Sequence, residues 1–387
     1  MTNQLVHLEE VAKFINGRAF KPSEWSGSGL PIIRIQNLTG TNYAFNYFDG
    51  VIDEPVRVRR GDILISWSAS LGVYRWQGND AVLNQHIFKV RLNKGVNPDY
   101  FFYAATNAVQ EMVSRVHGST MQHITKDRFD SIQIRLPDLS EQRRIAGQLE
   151  QVDRLRRTRR YALELTDTLL PAAFLKLFGD PGESTQTYDR VQVEDLFSDS
   201  RGGAKCGPFG SALKKHEYVT EGIPVWTMNN VGANEFLEDG CLYITPEKFE
   251  ELAAYDAQNG DILISRAGTV GRMAIVRTKH PQSIIHSNII RLSLNHKKIL
   301  PIYFVVLMTW FAPRIARLKR GQEDAYTFIS TGSLGELQIP LPPFSLQEKF
   351  ANLVEELERL RAVQREALRQ AEHLFQTLLH QAFSESA

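Results

Sequence analysis

The sequence has few cysteines, no long apolar run and almost no net charge, and each shortage excludes a class of protein. Cys206 and Cys241 stand neither in a CxxC pair nor at zinc-ligand spacing, which argues against a disulfide scaffold or a structural metal. We therefore expect a reducing, cytoplasmic environment. No segment has the roughly 18 apolar residues needed to cross a bilayer, and the start lacks a basic-then-apolar signal pattern, so neither membrane insertion nor secretion is expected.

The formal charge is +1, from 45 Lys and Arg against 44 Asp and Glu. A nearly neutral chain differs from the strongly basic proteins that bind nucleic acid regardless of sequence, since their affinity comes from neutralising phosphates. Any affinity for DNA must therefore come from local patches or be shared with a partner. At 387 residues, 43% of them hydrophobic, the chain is long enough for two or three domains with their own cores.

Motifs for catalysis are also missing. The sequence has no Walker A motif, no GxGxxG loop after a strand and no HExxH. The tetrad LPPF at 341–344 is close to the Asn/Asp-Pro-Pro-aromatic tetrad of amino-methyltransferases, but it has leucine where an amide or carboxylate must accept from the target amine. Acidic residues show no nuclease-like spacing on adjacent strands. The sequence thus predicts a binding protein without a catalytic or metal site of its own.

The chain is built from two copies of one unit. The hexapeptide GDILIS occurs at 61–66 and again at 260–265, a displacement of 199 residues. Two further matches keep the same order: GLPIIRIQNL at 29–38 with GIPVWTMNNV at 222–231, and LPDLSEQ at 136–142 with LPPFSLQ at 341–347. Such a period is far too long for a solenoid repeat, so the sequence indicates a tandem doubling of a domain-sized unit.

The first part of each copy is predicted to be α+β. Short β-branched or aromatic runs bounded by Gly, Pro, Asn or Asp indicate strands, among them PIIRIQNL and DILISW in the first copy and IPVWTM and SIIHSNIIRLSL in the second. Helical spacing of apolar residues, opened by a proline, predicts one helix at 98–116 and another at 301–318. Each copy should therefore pack a helix against its strands.

The last part of each copy predicts a long helix. Ser140 and Ser345 are the expected N-caps, and the helical pattern of the first copy breaks at Gly179, Pro181 and Gly182. Apolar and small residues recur at alternating steps of three and four, which indicates a heptad seam. The predicted seam comprises Leu353, Leu357, Leu360, Gln364, Ala367, Ala371, Leu374 and Leu378 in the second helix. In the first helix it is weaker and comprises Gln148, Val152, Leu155, Arg159, Ala162, Thr166, Leu169 and Ala173.

A helix of roughly 40 residues is about 60 Å long and cannot bury its apolar stripe alone. Its simplest partner is the equivalent helix of the other copy, which gives a pseudo-twofold chain with an antiparallel coiled coil between two globular regions. A helix lying along its own globular region is the alternative. We expect a first domain at 1–138, a first spacer helix at 139–180, a second domain at 181–342 and a second spacer helix at 343–387.

This doubled pattern resembles the specificity subunit of type I restriction-modification systems, over essentially the whole chain. No single motif is decisive, and the specific signal is the order of the motifs, repeated in both copies. The segments that carry the resemblance are FINGRAFKPSEWSGSGLPIIRIQNL, GDILIS and LPDLSEQRRIAGQLEQVDRLR in the first copy, and CGPFGSALKKHEYVTEGIPVW, GDILISRAGTVGR, LPPFSLQEKFANLVEELERLR and LFQTLLHQAFS in the second.

The resemblance implies that each globular region is a target recognition domain that reads one part of a split, asymmetric site in double-stranded DNA. The two long helices would set the gap between the parts. It further implies two methyltransferase subunits docked on the helices and domains, and restriction subunits recruited for translocation and cleavage. S-adenosylmethionine, ATP and Mg²⁺ are then expected on those partners, and no cofactor on this chain.

Candidate DNA contacts are polar or basic side chains in predicted turns and strand ends, because such groups read base edges or hold phosphates. The structural alternative is that Asn and Ser satisfy turns, that Trp67 packs, and that Arg is merely at the surface. We favour Arg34 with Gln36, and Arg266 with Arg272, because alternate residues of a strand share a face. The candidates are Arg34, Gln36, Asn37, Ser66, Trp67, Gln85, His86, Gln122 and Lys126 in the first domain, and Lys214, Lys215, Asn229, Asn230, Arg266, Thr269, Arg272, Ser287 and Asn288 in the second.

A basic run marks the first spacer helix. It could follow the DNA backbone across the gap, but pairing with Glu355, Glu356 and Glu358 of the opposing helix is slightly favoured. The run comprises Arg143, Arg144, Arg154, Arg156, Arg157, Arg159 and Arg160.

Two other functions stay open at this point. A fused restriction-methylation enzyme would need catalytic motifs within these residues, and methylation by this chain alone with S-adenosylmethionine would reveal it. A coiled-coil scaffold without sequence reading predicts that the complex of this chain with its partners has no preference for any DNA sequence.

Overall fold

Two units make up the chain, Met1–Ala162 with Gln364–Ala387, and Leu163–Val363. The structure is a computed structural model, and it describes residues 4–42, 44–68, 70–115, 129, 131–181, 188–209, 212–232, 235–266, 271–311 and 331–383. No helix formed by these residues is long and apolar enough to span a membrane.

The described residues of the first unit form three small sheets. Its strands are β1 (Gln4–His7), β2 (Ala12–Asn16), β3 (Leu30–Ile33), β4 (Asn46–Phe48), β5 (Arg57–Val58), β6 (Ile63–Ser66), β7 (Gly72–Arg75), β8 (Ala81–Leu83), β9 (Ile87–Leu92) and β10 (Gln133–Leu136). The strand orders are β1-β10, β2-β9-β6-β7 and β4-β3-β8-β5. Neighbouring strands are antiparallel except β3 and β8, which run parallel.

The helices of this unit are α1 (Leu8–Val11), α2 (Ile35–Thr39), α3 (Pro98–Arg115) and part of the long helix α4 (Leu139–Phe178), with 3-10 turns at Pro22–Glu24 and Glu54–Val56. Helix α3 confirms the helix predicted at 98–116. The core lies where α1 and α3 meet the sheet and the long helices, and Leu8, Phe101 and Leu149 are buried in it.

The second unit repeats this plan. Its strands are β11 (Arg190–Gln192), β12 (Ala204–Cys206), β13 (Ile223–Trp226), β14 (Leu242–Ile244), β15 (Ile262–Ser265), β16 (Met273–Ile275), β17 (Ile284–Ile285), β18 (Ile289–Leu292) and β19 (Gln338–Pro340). The orders are β11-β19, β12-β18-β15-β16 and β14-β13-β17, and only β13 and β17 run parallel.

Its helices are α5 (Pro246–Leu252), α6 (Pro301–Val306), α7 (Thr331–Gly335) and part of the long helix α8 (Phe344–Phe383). A π-helical turn at Leu307–Phe311 continues α6, and 3-10 turns lie at Val193–Leu196, Lys215–Glu217, Met228–Asn230 and Ala253–Tyr255. The rest of the helix predicted at 301–318 lies outside the described residues.

The repeated hexapeptide occupies the same place in both units. It forms β6 and β15, and each of these strands pairs antiparallel with two neighbours. The registers agree as well, since Ser66 lies opposite Ile87 and Ser265 lies opposite Ile289. The duplication seen in the sequence is therefore a duplication of the fold.

Two of the predicted strands are shorter than expected. The segment PIIRIQNL leaves β3 after Ile33 and turns into α2, because the side-chain oxygen of Asn37 accepts from the backbone N–H of Arg34 at 2.9 Å. Arg34 and Gln36 thus share no strand face, and the reason for favouring that pair was wrong. The segment SIIHSNIIRLSL is likewise divided between β17 and β18.

The second favoured pair is also arranged differently. Arg266 follows β15 and Arg272 precedes β16, so the two residues belong to opposite arms of a hairpin rather than to one strand. The backbone N–H of Ser265 donates to the carbonyl of Arg272 at 2.9 Å, which closes that hairpin.

The long helices begin one residue before the predicted N-caps. Helix α4 starts at Leu139 and is capped by Asp138, whose Oδ1 accepts from the backbone N–H of Glu141 at 3.0 Å. Helix α8 starts at Phe344, so Ser140 and Ser345 both lie in a first turn and are not N-caps. Asp138, which precedes the helix, offers a charged acceptor to the free backbone N–H groups of the first turn. A serine inside that turn is not placed to accept from them.

A glutamine joins each long helix to its own unit. Gln142 accepts from the backbone N–H of Asn97 at 2.8 Å and donates to the carbonyls of Pro137 and Gly95. In the second unit Gln347 accepts from the N–H of Leu300 at 2.9 Å and donates to the carbonyls of Pro342 and Lys298. Both side chains are almost fully buried, so the start of each helix is fixed to the turn before α3 or α6.

The antiparallel pairing of the helices is confirmed within each unit. In the first unit, the Arg156 guanidinium lies 3.8 Å from the ring centre of Phe375, and Arg160 pairs with Glu372 at 2.8 Å. Residue numbers rise along α4 as they fall along α8, so the two helices run antiparallel here.

The second unit shows the same direction. Asp167 pairs with Arg361 at 2.6 Å, and further along α4 the ring centre of Phe174 lies 5.5 Å from that of Phe350. Helix α4 then ends at Phe178, and Gly179 breaks the helix as predicted, with a left-handed φ of 77° that glycine adopts without strain.

The buried seam is offset by about one residue from the predicted one. Four predicted seam leucines are exposed by 42–44%: Leu155, Leu169, Leu360 and Leu374. Thr166 and Ala371 are buried as predicted, and the other buried residues of the helices include Leu149, Asp153 and Phe174 on α4, and Phe350, Val354, Phe375 and Leu379 on α8. Six predicted positions are half-buried beside this seam: Val152, Ala162, Leu353, Leu357, Ala367 and Leu378. Two heptad stripes run side by side, and the one with the aromatic rings is covered because it removes more apolar surface from water.

Replacing Phe174 by alanine should destabilise the second unit by about 3–5 kcal/mol, because the ring is fully buried against Phe178, Tyr303 and Phe350 and its loss leaves a cavity. The control Tyr161→Ala, an exposed position of the same helix, should change the free energy of unfolding by less than about 0.5 kcal/mol. Urea denaturation measures both, and equal effects would contradict this packing.

Candidate nucleic-acid interface

One edge of the first unit gathers candidates that are far apart in the sequence. Strands β3 and β8 run parallel, so Arg34 and the turn containing Gln85 and His86 leave the sheet on the same side. Strand β6 ends there as well, where the backbone N–H of Trp67 donates to the carbonyl of His86 at 3.2 Å. We call Arg34, Trp67, Gln85 and His86 the first edge.

The second unit builds an equivalent edge with other side chains. The parallel pair β13 and β17 brings His286 beside Trp226, to whose carbonyl its N–H donates at 2.9 Å. The N–H of Arg266, after β15, donates to the carbonyl of Asn288 at 2.9 Å. We call Arg266, His286, Ser287 and Asn288 the second edge.

Aromatic rings support the side chains of the first edge. The Arg34 guanidinium lies 5.7 Å from the ring centre of Trp25, and Gln85 is exposed. Trp67 stacks on Phe88 at 5.8 Å, which favours the packing role for this tryptophan. His86 has a left-handed φ of 73°, an uncommon conformation outside glycine that fixes the turn.

The second edge combines a cation, an exposed aromatic ring and a neutral histidine. The Arg266 guanidinium lies 5.3 Å from the ring centre of Phe209, which is 61% exposed. Burial lowers the pKa of His286, and its Nδ1 accepts from the backbone N–H of Asn288 at 3.4 Å. The hydroxyl of Ser287 lies 3.3 Å from the same Nδ1, and Arg272 is exposed on the adjoining hairpin.

Three arginines at or beside these edges pair with no carboxylate in the described part of the chain. Among the described residues, Arg34, Arg266 and Arg272 form no ion pair. A guanidinium that rests on an aromatic ring keeps its N–H donors free for an acceptor such as a base edge or a phosphate.

The charges beneath the edges, by contrast, are neutralised internally. Arg291 is 3% exposed and pairs with Asp256 at 2.7 Å, while Arg201 bridges Asp256 and Asp261 at 2.8 Å each. In the first unit Lys89 pairs with Asp62 at 2.9 Å. These largely buried pairs join Arg291 of β18 and Lys89 of β9 to neighbouring turns.

Three candidates brace turns instead of facing outward. The amide of Asn230 is fully buried, accepts from the backbone N–H of Thr227 at 2.8 Å and donates to the carbonyl of Leu237 at 2.8 Å. Asn37 has the same role in the first unit, and Ser66 is 1% exposed and donates to the Ser70 carbonyl.

The other candidates do not join an edge. Lys214 and Lys215 are exposed on a turn whose Glu217 pairs with Lys248 at 2.8 Å, and no described contact links them to the second edge. Asn229 is exposed in the turn before β14, and Gln36 is half-buried in α2. Three candidates lie outside the described residues: Gln122, Lys126 and Thr269.

Sequence reasoning missed Arg18, Trp25 and Phe209. The carbonyl of Arg18 accepts from the N–H of Gln85 at 2.9 Å, and its side chain, which pairs with Glu24, is 40% exposed. A glycine after each of the strands β2 and β12 could have indicated these residues. Gly17 and Gly207 each lie so close to the backbone of a neighbouring turn that no Cβ fits between them. This close approach brings the residues after each glycine to the edge.

Most of the ion pairs formed by the basic run of α4 are with carboxylates of α4 itself, and one is with a carboxylate of α8. Arg144 pairs with Glu141, Arg156 and Arg157 with Asp153, and Arg160 with Glu372. Of the three predicted acidic partners, Glu358 pairs with Arg277 at 2.9 Å, and no described ion pair joins Glu355 or Glu356 to the run. The prediction that the run pairs with these three glutamates was therefore wrong. Arg143, Arg154 and Arg159 form no ion pair with a described carboxylate.

Both long helices also carry an uncovered apolar stripe. On α4, Tyr161, Leu165 and Leu169 follow at steps of four residues and are 44–61% exposed. On α8, Leu360 and Val363 are 42% and 65% exposed. We call the four of these residues that belong to the second unit, Leu165, Leu169, Leu360 and Val363, the helix stripe. No group of acidic, histidine or cysteine residues able to hold a metal ion occurs among the described residues.

The chain matches a family model described as type I restriction modification DNA specificity domain over residues 2–165 and 204–372. It is 22% identical over 404 residues to the type I restriction enzyme EcoBI specificity subunit of Escherichia coli, covering 98% of this chain and 85% of that protein. The type I restriction enzyme MjaVIII specificity subunit of Methanocaldococcus jannaschii is 21% identical over 344 residues, 84% of this chain and 79% of that one. The crystal structure of the type I restriction-modification system S subunit from M. genitalium has a TM-score of 0.59 at 17% identity, over 99% and 96% of the two chains.

Replacing Asn230 by alanine should destabilise the protein by about 1–3 kcal/mol, because it leaves the buried N–H of Thr227 and the carbonyl of Leu237 unpaired. The neighbouring Asn229→Ala should change the free energy of unfolding by less than about 0.5 kcal/mol, since that side chain is exposed. Thermal unfolding measures the difference. If Asn230→Ala leaves the free energy of unfolding unchanged, Asn230 does not stabilise this turn.

Proposed function

Because the chain belongs to the family of type I restriction-modification DNA specificity domains, we propose that it selects the DNA sequence for such a complex. The carrying observation is the pair of edges, which are built on one scaffold from different side chains. Where the first unit has Trp67, Gln85 and His86, the second unit has Arg266, Ser287 and Asn288 at the corresponding positions. Arg34 of the first edge corresponds to Thr227 in the second unit. Two unlike edges suit a bipartite, asymmetric site in double-stranded DNA.

The chemistry of the edges fits base reading. Arginine donates two parallel hydrogen bonds to guanine, and amides such as those of Gln85 and Asn288 can pair with adenine. Arg34 and Arg266 rest on rings, which pre-orients them and reduces the entropy lost on binding. Phosphate contacts would add affinity without sequence information, and the exposed Lys214 and Lys215 suit that role.

We assign 1–138 and 181–342 to two target recognition domains, and 139–180 and 343–387 to two spacer segments. The helices Leu139–Phe178 and Phe344–Phe383, with their antiparallel contacts inside each unit, support this division. In this proposal the helices set the number of base pairs between the half-sites, as protein geometry does for other two-part readers.

Catalysis is assigned to partners. The exposed helix stripe supports docking of two methyltransferase subunits through apolar helical surfaces, with S-adenosylmethionine bound by those subunits. Restriction subunits, with ATP and Mg²⁺, would complete the complex. We place this complex in the cytoplasm, in keeping with the two free cysteines.

Mapping methylated positions in host DNA tests the proposed function. We expect a two-part motif with a fixed gap that disappears when the gene for this chain is deleted and returns when it is restored. Methylation by the purified chain alone would instead support the fused enzyme, and an unchanged methylation pattern would support the scaffold.

Charging the helix stripe should prevent assembly. The double substitution Leu165→Glu with Leu169→Glu should abolish co-purification of the methyltransferase subunits, because two carboxylates cannot be buried in an apolar contact without large desolvation costs. The control Val51→Glu, at a residue 96% exposed in the first domain, should leave co-purification unchanged. Circular dichroism checks that both variants fold, and intact assembly of the double variant would exclude this surface.

A further inference from the structure

We propose that Phe209 and Arg266 act as one reading unit that recognises a thymine next to a guanine in the half-site bound by the second domain. This inference rests on the proposed function and adds the identity of two bases. In it, the Phe209 ring contacts the thymine C5 methyl group while the Arg266 guanidinium donates to guanine O6 and N7.

The backbone places both residues on the second edge. Gly207 donates its N–H to the carbonyl of Ile289 at 3.0 Å and lies against His286 with no room for a Cβ, which holds the segment leading to Phe209 beside the edge. Arg266 is fixed from the other side by its N–H bond to Asn288. The two side chains thus come from separate strands and meet above the same turn.

No packing among the described residues accounts for the exposure of Phe209. The ring is 61% exposed, whereas most other aromatic rings of this unit belong to its apolar cores. Phe209 lies next to Arg266, which has no described carboxylate partner. Together they form a surface that is apolar and also offers hydrogen-bond donors. That combination matches the major groove, where thymine presents a methyl group and guanine presents two acceptors.

The spacing of the two groups suits neighbouring bases. The guanidinium carbon lies 5.3 Å from the ring centre of Phe209. Successive bases of one strand are about 3.4 Å apart along the helix axis, so two side chains at this distance reach adjacent base pairs. The ring also holds the guanidinium in place, so loss of Phe209 should weaken guanine recognition as well as thymine recognition.

The experiment uses this chain in complex with its methyltransferase subunits and duplexes that carry the mapped site. Each thymine of the half-site read by the second domain is replaced in turn by deoxyuridine, which removes only the C5 methyl group. For the unmodified chain we expect one such replacement, next to a guanine, to lower affinity about fourfold, the value of one buried methyl group. For Phe209→Ala the same replacement should have no effect.

Arg266→Ala should lower affinity by about 5- to 150-fold and relax the choice of base at the adjacent guanine. The control Val219→Ala, an apolar residue 37% exposed at the opposite end of β13, should keep the full response to deoxyuridine. If Phe209→Ala weakens thymine and deoxyuridine duplexes equally, or if no deoxyuridine position matters to the unmodified chain, the reading unit is refuted. A complex without any sequence preference would refute the proposed function itself.

Discussion

The parallel pairing of β3 with β8, and of β13 with β17, is the constraint on which the candidate interface depends. In an antiparallel pair, the residues after the two strands would leave at opposite ends. Because these pairs run parallel, Arg34 comes beside Gln85, and Trp226 beside His286, although about 50 or more residues separate them in the sequence. The neighbouring strands β6 and β15 then deliver Trp67 and Arg266 to the same places.

The duplication conserves the scaffold and changes the surface. Asn37 and Asn230 brace equivalent turns, and Gly17 and Gly207 allow equivalent close contacts, whereas the exposed residues beside them differ. Even the buried charges have diverged, from the simple pair of Lys89 with Asp62 to the larger network around Arg291. Backbone-bonding residues therefore define the edge, and the exposed residues give each edge a different chemistry.

The sequence predicted the doubling, the α+β class and the two long helices, because these depend on patterns that repeat over many residues. It could not tell a bracing asparagine from an outward one, since Asn229 and Asn230 differ only in which side of a short turn they occupy. It also missed Phe209, because an isolated phenylalanine in a sequence predicts burial. The helix seam was misplaced by one residue because both stripes of α8 fit a heptad, and only packing decides between them.

Gln142 and Gln347 have a further consequence. Every hydrogen bond described for their side chains goes to a backbone N–H or carbonyl, none to another side chain. The attachment between a globular domain and its helix is thus insensitive to which amino acids line the turn it grips. Under the proposed function, substitutions on the domain surface would change what is read while this joint keeps its geometry.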